Sequence, residues 1–128
     1  MADFTKKAKL LCGLMTGEKS FSGPISVNID VTHRCNLNCI YCRWHSSLVE
    51  RTLLDPVVQK DISLEVFTDL CGELKQMDTQ TLLFVGAGEP LLHPRIFDLI
   101  AVAKELGFEV VMYTNGVTLN DRICRKLV

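Results

Sequence analysis

Apolar and polar positions alternate with a period of two from Ile25 to Val31, where Ile25, Val27, Ile29 and Val31 are separated by Ser26, Asn28 and Asp30. Such a period predicts a strand with one apolar and one polar face. A long loop follows, running through Arg43, Trp44 and His45 to an Asp55-Pro56 break. Ser63 is then placed to cap a helix in which Val66, Phe67, Leu70, Leu74 and Met77 recur as one apolar stripe. Thr81-Leu82-Leu83-Phe84-Val85 is a continuous apolar run closed by Gly86, as expected of a strand buried on both faces of a parallel sheet. Pro94 at the first helical position opens another helix, with Ile96, Phe97, Ile100 and Leu106 on its buried side and Gly107 as its stop. Phe108 to Tyr113 reads as a third strand and Thr114-Asn115-Gly116 as a turn. From Asn120, the recurrence of Ile123, Cys124, Leu127 and Val128 begins a third helix.

This repeating strand-then-helix order predicts an α/β fold with a parallel sheet and right-handed crossovers. Three such units are too few to close a barrel, since eight take about 250 residues. The expectation is therefore the N-terminal portion of a partial TIM-like (β/α) barrel, with residues 1–22 as an extension and 23–128 as a C-terminally incomplete core. In that setting the last strand leaves an exposed edge and the last helix an unfinished apolar face. Ser26, Asn28 and Asp30 either face a barrel lumen or form the solvated face of an open sheet, and both readings stand at this point.

Composition narrows the function classes. With 128 residues, 48% hydrophobic and 23% charged, the chain is globular and soluble in type, with room for one modest core. Its net charge of −1 gives no global attraction to nucleic acid or to an anionic membrane. The N-terminus has lysines but only a short apolar piece and no small-residue cleavage signal, and Ala2 stands where N-myristoylation requires glycine. No apolar run approaches the roughly 18 residues that would span a bilayer. A cytoplasmic protein is expected, in which the six cysteines remain reduced and metal ligation outweighs disulfides. Cys12, Cys71 and Cys124 are scattered singly; Cys71 and Cys124 fall within apolar helical patterns and read as small hydrophobes. Lys6, Lys7 and Lys9 read as a solvated helix face.

The candidate chemistry lies in Cys35-Asn36-Leu37-Asn38-Cys39-Ile40-Tyr41-Cys42, just after the first strand. Three thiolates in one tight loop can hold three irons of a cubic four-iron cluster and leave the fourth open to a small molecule. They could instead be three of four ligands to a structural zinc completed by Cys71, Cys12 or His45, although zinc ribbons generally pair two cysteine knuckles and no second one exists here, which favours the cluster. Glu89 reads as a ligand-holding carboxylate or as a helix-entry carboxylate favoured by the helix dipole. His93 reads as an N-terminal helix residue, and His33 and His45 as ordinary loop residues. Trp44 and Arg43 shield the cysteine loop or cap it. Thr114 and Asn115 end the third strand within reach of a cofactor, but Asn-Gly is also an ordinary turn, and the turn is preferred.

At Cys35, Cys39, Tyr41 and Cys42 the chain resembles the radical S-adenosylmethionine enzymes, whose hallmark is Cys-x3-Cys-x-aromatic-Cys after the first barrel strand. The family's Gly-Gly-Glu-Pro stretch is matched by Gly86-Ala87-Gly88-Glu89-Pro90, with Ala87 where the first glycine usually lies. The resemblance covers about Pro24 to Asn120. It implies a 4Fe-4S cluster on Cys35, Cys39 and Cys42, and S-adenosylmethionine chelated by the open iron. Glu89 and the backbone around Gly88 would hold the ammonium of that cofactor, Pro90 would complete the stretch, and the backbone beside Tyr41 would meet the adenine. A flavodoxin- or ferredoxin-like electron donor and a peptide or small-molecule substrate are implied, with reductive cleavage giving a 5′-deoxyadenosyl radical that abstracts hydrogen. The branch containing molybdenum-cofactor biosynthesis enzymes and peptide-modifying maturases is the nearest in pattern. The alternatives are a truncated, non-catalytic cluster-binding segment and a zinc-binding interaction module.

Overall fold

Ser26–Ile29, Thr81–Phe84 and Glu109–Met112 pair as strands β1, β2 and β3 of one parallel sheet in that order. The computed structural model describes residues 2–48 and 61–128, so the Asp55-Pro56 break lies outside the described residues. Register places Val27, Leu82 and Val110 in one row and Ile29, Phe84 and Met112 in the next row on the same face. This face carries the core, because Ile29, Leu82 and Phe84 are buried beneath the helices. Asn28, Leu83 and Val111 share the other face, on which Asn28 is exposed and Leu83 half-buried. β2 is therefore closed on one face rather than two: among the described residues the helices cover only one side.

Helix α1 spans Ala2–Thr16, α2 Leu64–Gln76, α3 Ile96–Glu105 and α4 Asp121–Leu127. Ser63 caps α2 as the sequence predicts, its Oγ accepting from the Val66 N–H at 3.2 Å. The buried stripe of α2 is Phe67, Cys71 and Leu74, whereas Val66 and Met77 are 57% and 47% exposed. At 3.6 residues per turn those two positions lie roughly a quarter turn from the stripe's centre, at the edge of the contact with the sheet. Phe67 meets Phe84 edge-to-face at 5.7 Å between centroids. Full burial of side chains of this size contributes about 1.5–3 kcal/mol each.

α3 buries Ile96, Leu99 and Ala103, with Phe97, Ile100 and Leu106 partly covered. Pro94 does not open it. The Arg95 N–H donates to His93 Nδ1 at 3.1 Å, and the resulting turn delays the helix to Ile96. The helix closes as expected at Gly107, at φ 79°: the Gly107 N–H donates to Lys104 O and the Phe108 N–H to Ala103 O, the bond pair of a left-handed helix stop. α4 has no buried residue, so Cys124 is exposed rather than a core hydrophobe, whereas Cys71 is buried as predicted.

Lys6 also departs from expectation. Lys7 and Lys9 are exposed, but Lys6 is buried, and its Nζ donates to Asp78 O and Pro24 O. Both carbonyls lie just before strands, and the ammonium supplies a donor to each. No helix among the described residues is long and apolar enough to cross a membrane.

Candidate functional site

Loops leaving the C-terminal ends of β1, β2 and β3 meet in one cleft of about 250 Å³, lined by Cys35, Leu37, Cys39, Gly86, Gly88, Glu89, Tyr113, Thr114 and Asn115. Cys35, Cys39 and Cys42 are free and half-buried. Their loop is folded on itself: the Cys42 N–H donates to Cys39 O at 2.9 Å, and the Ser46 N–H to Cys42 O at 3.1 Å. The buried Ser46 hydroxyl adds a bond to Ile40 O at 2.8 Å.

Asp61 fastens the start of this loop. It accepts from the Thr32 hydroxyl at 2.7 Å and from Arg34, whose guanidinium lies 2.8 Å from the second carboxylate oxygen. Burial alone would raise the Asp61 pKa, but the hydrogen bonds of Thr32 and Arg34, with the charge of Arg34, outweigh it and hold the group below the ordinary aspartate value.

Gly88 seats the second loop against the first. A Cβ at that position would lie 2.5 Å from both Arg34 O and Thr32 O, so only glycine permits the approach. The next N–H, that of Glu89, donates to Arg34 O at 2.7 Å. His45 Nε2 donates to Ala87 O at 2.9 Å, so this residue is a bridge between the two loops rather than an ordinary loop residue. Trp44 packs edge-on to His33 at 5.4 Å beneath the Arg43 guanidinium at 5.8 Å.

Glu89 is 2% exposed, and both its oxygens are engaged. Oε1 accepts from the Leu91 N–H at 3.1 Å and the Thr114 hydroxyl at 2.7 Å; Oε2 accepts from the Asn115 N–H at 2.7 Å. Pro90–Leu92 forms a short 3₁₀ turn with Glu89 as its cap, so the helix-entry reading holds for the side chain, with that turn in the place of α3. Thr114 and Asn115 do form a turn, closed by the Val117 N–H on Asn115 Oδ1 at 3.0 Å, and the same turn grips the carboxylate. His93 is buried and structural: because Nδ1 accepts from Arg95, the proton lies on Nε2, which donates to Ile62 O at 3.0 Å. The Tyr41 ring stands out at 88% exposure and forms no wall of the cleft.

The arrangement suits a cluster better than a single ion. Among the described residues, no three His, Cys, Asp or Glu side chains converge to hold one metal. The zinc completions expected from sequence are committed elsewhere or remote: Cys71 is in the core with its thiol pushed up to about 11 by burial, Cys12 is exposed on α1, and His45 is bonded to Ala87. A family model described as the Radical SAM superfamily matches residues 29–128.

The chain belongs to the radical SAM superfamily. Enzymes of this superfamily use a 4Fe-4S cluster and S-adenosylmethionine, and membership sets aside the zinc-module alternative. Curated relatives include the PqqA peptide cyclase of Streptomyces rochei, 32% identical over 80% of this chain and 26% of its own length. The GTP 3′,8-cyclase of Chlorobaculum tepidum is 38% identical over 76% of this chain and 27% of its own length. Mycofactocin maturase MftC of Mycobacterium ulcerans is 30% identical over 86% of this chain and 27% of its own length. A maturase, one of the kinds of enzyme expected from sequence, is among these relatives, together with two cyclases. The chain spans about a quarter of their length. Its fold is similar to that in a crystal structure of BtrN in complex with AdoMet and 2-DOIA, with a TM-score of 0.68 at 21% identity, over 80% of this chain and 40% of that one. The partial-barrel expectation is thereby met.

The residues present fit the superfamily's cofactors. Three uncommitted thiols are the soft donors that iron–sulfur clusters take, and two of them line the same cleft as a buried carboxylate. Sequence reasoning missed the ties that hold this cleft together, namely Thr32 and Asp61, His45 and Ala87, and Asn36 and Asn115. Each is a contact between distant loops and leaves no periodic signal.

Proposed function

We propose that this chain carries the cofactor half of a radical SAM enzyme, in which Cys35, Cys39 and Cys42 ligate the cluster and Glu89, Pro90 and the backbone at Gly88 and Tyr41 hold S-adenosylmethionine. One observation carries the reading: a buried carboxylate with no basic partner among the described residues faces a cleft shared with two free thiols. A carboxylate offers about four acceptor sites, and three on Glu89 are filled by N–H and O–H donors. The remaining site is available to a cationic amine entering the cleft. Buried Pro90 opens the 3₁₀ turn that presents the Leu91 N–H to Glu89, which fixes the carboxylate's direction. Gly88 leaves its main-chain carbonyl unshielded by any side chain. At Tyr41 the exposed ring leaves the backbone to make the contact.

Held by these residues, the cluster and S-adenosylmethionine would supply radical chemistry, a 5′-deoxyadenosyl radical able to take hydrogen from a substrate once one electron is delivered from outside. The reductant is a flavodoxin- or ferredoxin-like protein, and the substrate is a peptide or small molecule. The protein's part is to hold cofactor against cluster and keep water from the space between them. Glu89→Gln tests this assignment. After anaerobic reconstitution the variant is expected to retain its iron and sulfide but to bind S-adenosylmethionine about tenfold more weakly, the effect of losing about 1.4 kcal/mol. Unchanged affinity would overturn the role of Glu89.

A further inference from the structure

Asn115 makes hydrogen bonds to both of the other loops at this rim. Its backbone N–H donates to Glu89 Oε2 at 2.7 Å, while its side-chain Nδ2 donates to Asn36 Oδ1 at 2.8 Å. Asn36 directly follows Cys35, so the second bond lands on the cysteine loop beside a thiol that lines the cleft. The amide orientation is determined by its surroundings: Oδ1 accepts from the Val117 N–H at 3.0 Å, which leaves Nδ2 as the only donor on that side chain. Thr114 acts beside it, its hydroxyl donating to Glu89 Oε1 while accepting from the Gly116 N–H at 3.1 Å. The turn after β3 is thus anchored internally and extends two arms, one to the carboxylate and one to the cysteine loop.

We propose that Asn115 is a positioning residue that sets the spacing between the cysteine loop and Glu89, and hence between cluster and S-adenosylmethionine. The proposal rests on the cofactor reading given above. Asn115 touches neither a thiol nor the reacting atoms and acts only through Asn36 and Glu89. Because the Glu89 bond comes from the backbone, a substitution at Asn36 removes only the arm and leaves the carboxylate held, whereas one at Asn115 also removes the Val117 bond that closes the turn.

The test is a double-mutant cycle of Asn36→Ala and Asn115→Ala in the 128-residue chain, with Asn36→Asp as the conservative variant. Three quantities are read: iron and sulfide content, the dissociation constant for S-adenosylmethionine, and amide hydrogen exchange of residues 35–42 in cofactor-free protein. Each alanine variant is expected to keep its cluster, to bind S-adenosylmethionine about fivefold more weakly and to exchange those amides about fivefold faster, the scale of one hydrogen bond. The double variant should be no worse than Asn115→Ala alone, because the bond between Asn36 and Asn115 is already lost in that variant, which also loses the Val117 bond. Asn36→Asp keeps the acceptor and should restore wild-type values. Additive effects, or exchange and affinity unchanged in the alanine variants, would overturn the positioning role while leaving the cofactor reading intact. If wild type bound no S-adenosylmethionine but the variants still exchanged faster and non-additively, the spacing role would stand and the cofactor reading would fall.

Discussion

At the N-terminal ends of the strands lies a cavity of about 710 Å³, and at their C-terminal ends one of about 250 Å³. The larger is the less reactive. Its polar groups are spent on closing the fold: Lys6 donates to Asp78 O and Pro24 O, the Thr79 hydroxyl to Pro24 O at 3.0 Å, and Lys75 sits 5.5 Å from the Phe108 ring centroid. At the smaller cavity the bonds run between loops instead, joining Glu89 to Thr114 and Asn115, and Asn115 to Asn36. Two thiols that line it, Cys35 and Cys39, remain uncommitted. The contrast teaches that unspent donor and acceptor capacity, more than volume, locates the chemistry. It also matches the general placement of ligands at the C-terminal ends of barrel strands.

Substitutions at the two ends should separate binding from stability. The largest effect is expected for Cys39→Ala, which should abolish cluster assembly while leaving the circular dichroism spectrum and thermal midpoint close to wild type, because the loop projects from the sheet. Iron and sulfide analysis after reconstitution checks it, and full iron content in that variant would contradict the ligand assignment. Lys6→Met should do the reverse. It leaves Asp78 O without its Lys6 donor, while Pro24 O keeps the Thr79 hydroxyl, and is expected to cost about 1–3 kcal/mol in urea unfolding, with iron content and S-adenosylmethionine affinity unchanged.

The smallest effect concerns pH. The folded pKa of Asp61 lies below its ordinary 3.8, so the group contributes stability above that value and loses it as pH falls through the lowered folded value. Since its partner Arg34 is 65% exposed, the contribution is a few tenths of a kcal/mol. Asp61→Asn should flatten the acid limb of the stability profile below about pH 4 by that amount, read from urea midpoints.

Much of the fold was legible because its signals are local. The alternation at Ile25 to Val31, the cap at Ser63 and the stop at Gly107 each occupy a few adjacent residues, and each survives in the structure. The misreadings share a cause. Residue type and periodicity place Val66, Met77, Cys124 and Lys6, whereas their exposure depends on which surface lies opposite, which a single helix does not encode. The pattern at Pro94 does not include the His93 ring that claims the Arg95 N–H. In the site, the cysteines stand out by spacing and Glu89 by the resemblance of its stretch to the family's Gly-Gly-Glu-Pro. The bonds that hold them in register connect residues 29, 42 and 79 positions apart. No pattern within one segment predicts such pairs.

The most direct test of the central claim is electron paramagnetic resonance of the anaerobically reconstituted, reduced protein with and without S-adenosylmethionine. A reduced four-iron signal that shifts on adding S-adenosylmethionine is the predicted result, and it would place the cofactor at the open iron of a cluster held by Cys35, Cys39 and Cys42. A cluster signal indifferent to S-adenosylmethionine, or no cluster at all, would contradict the account.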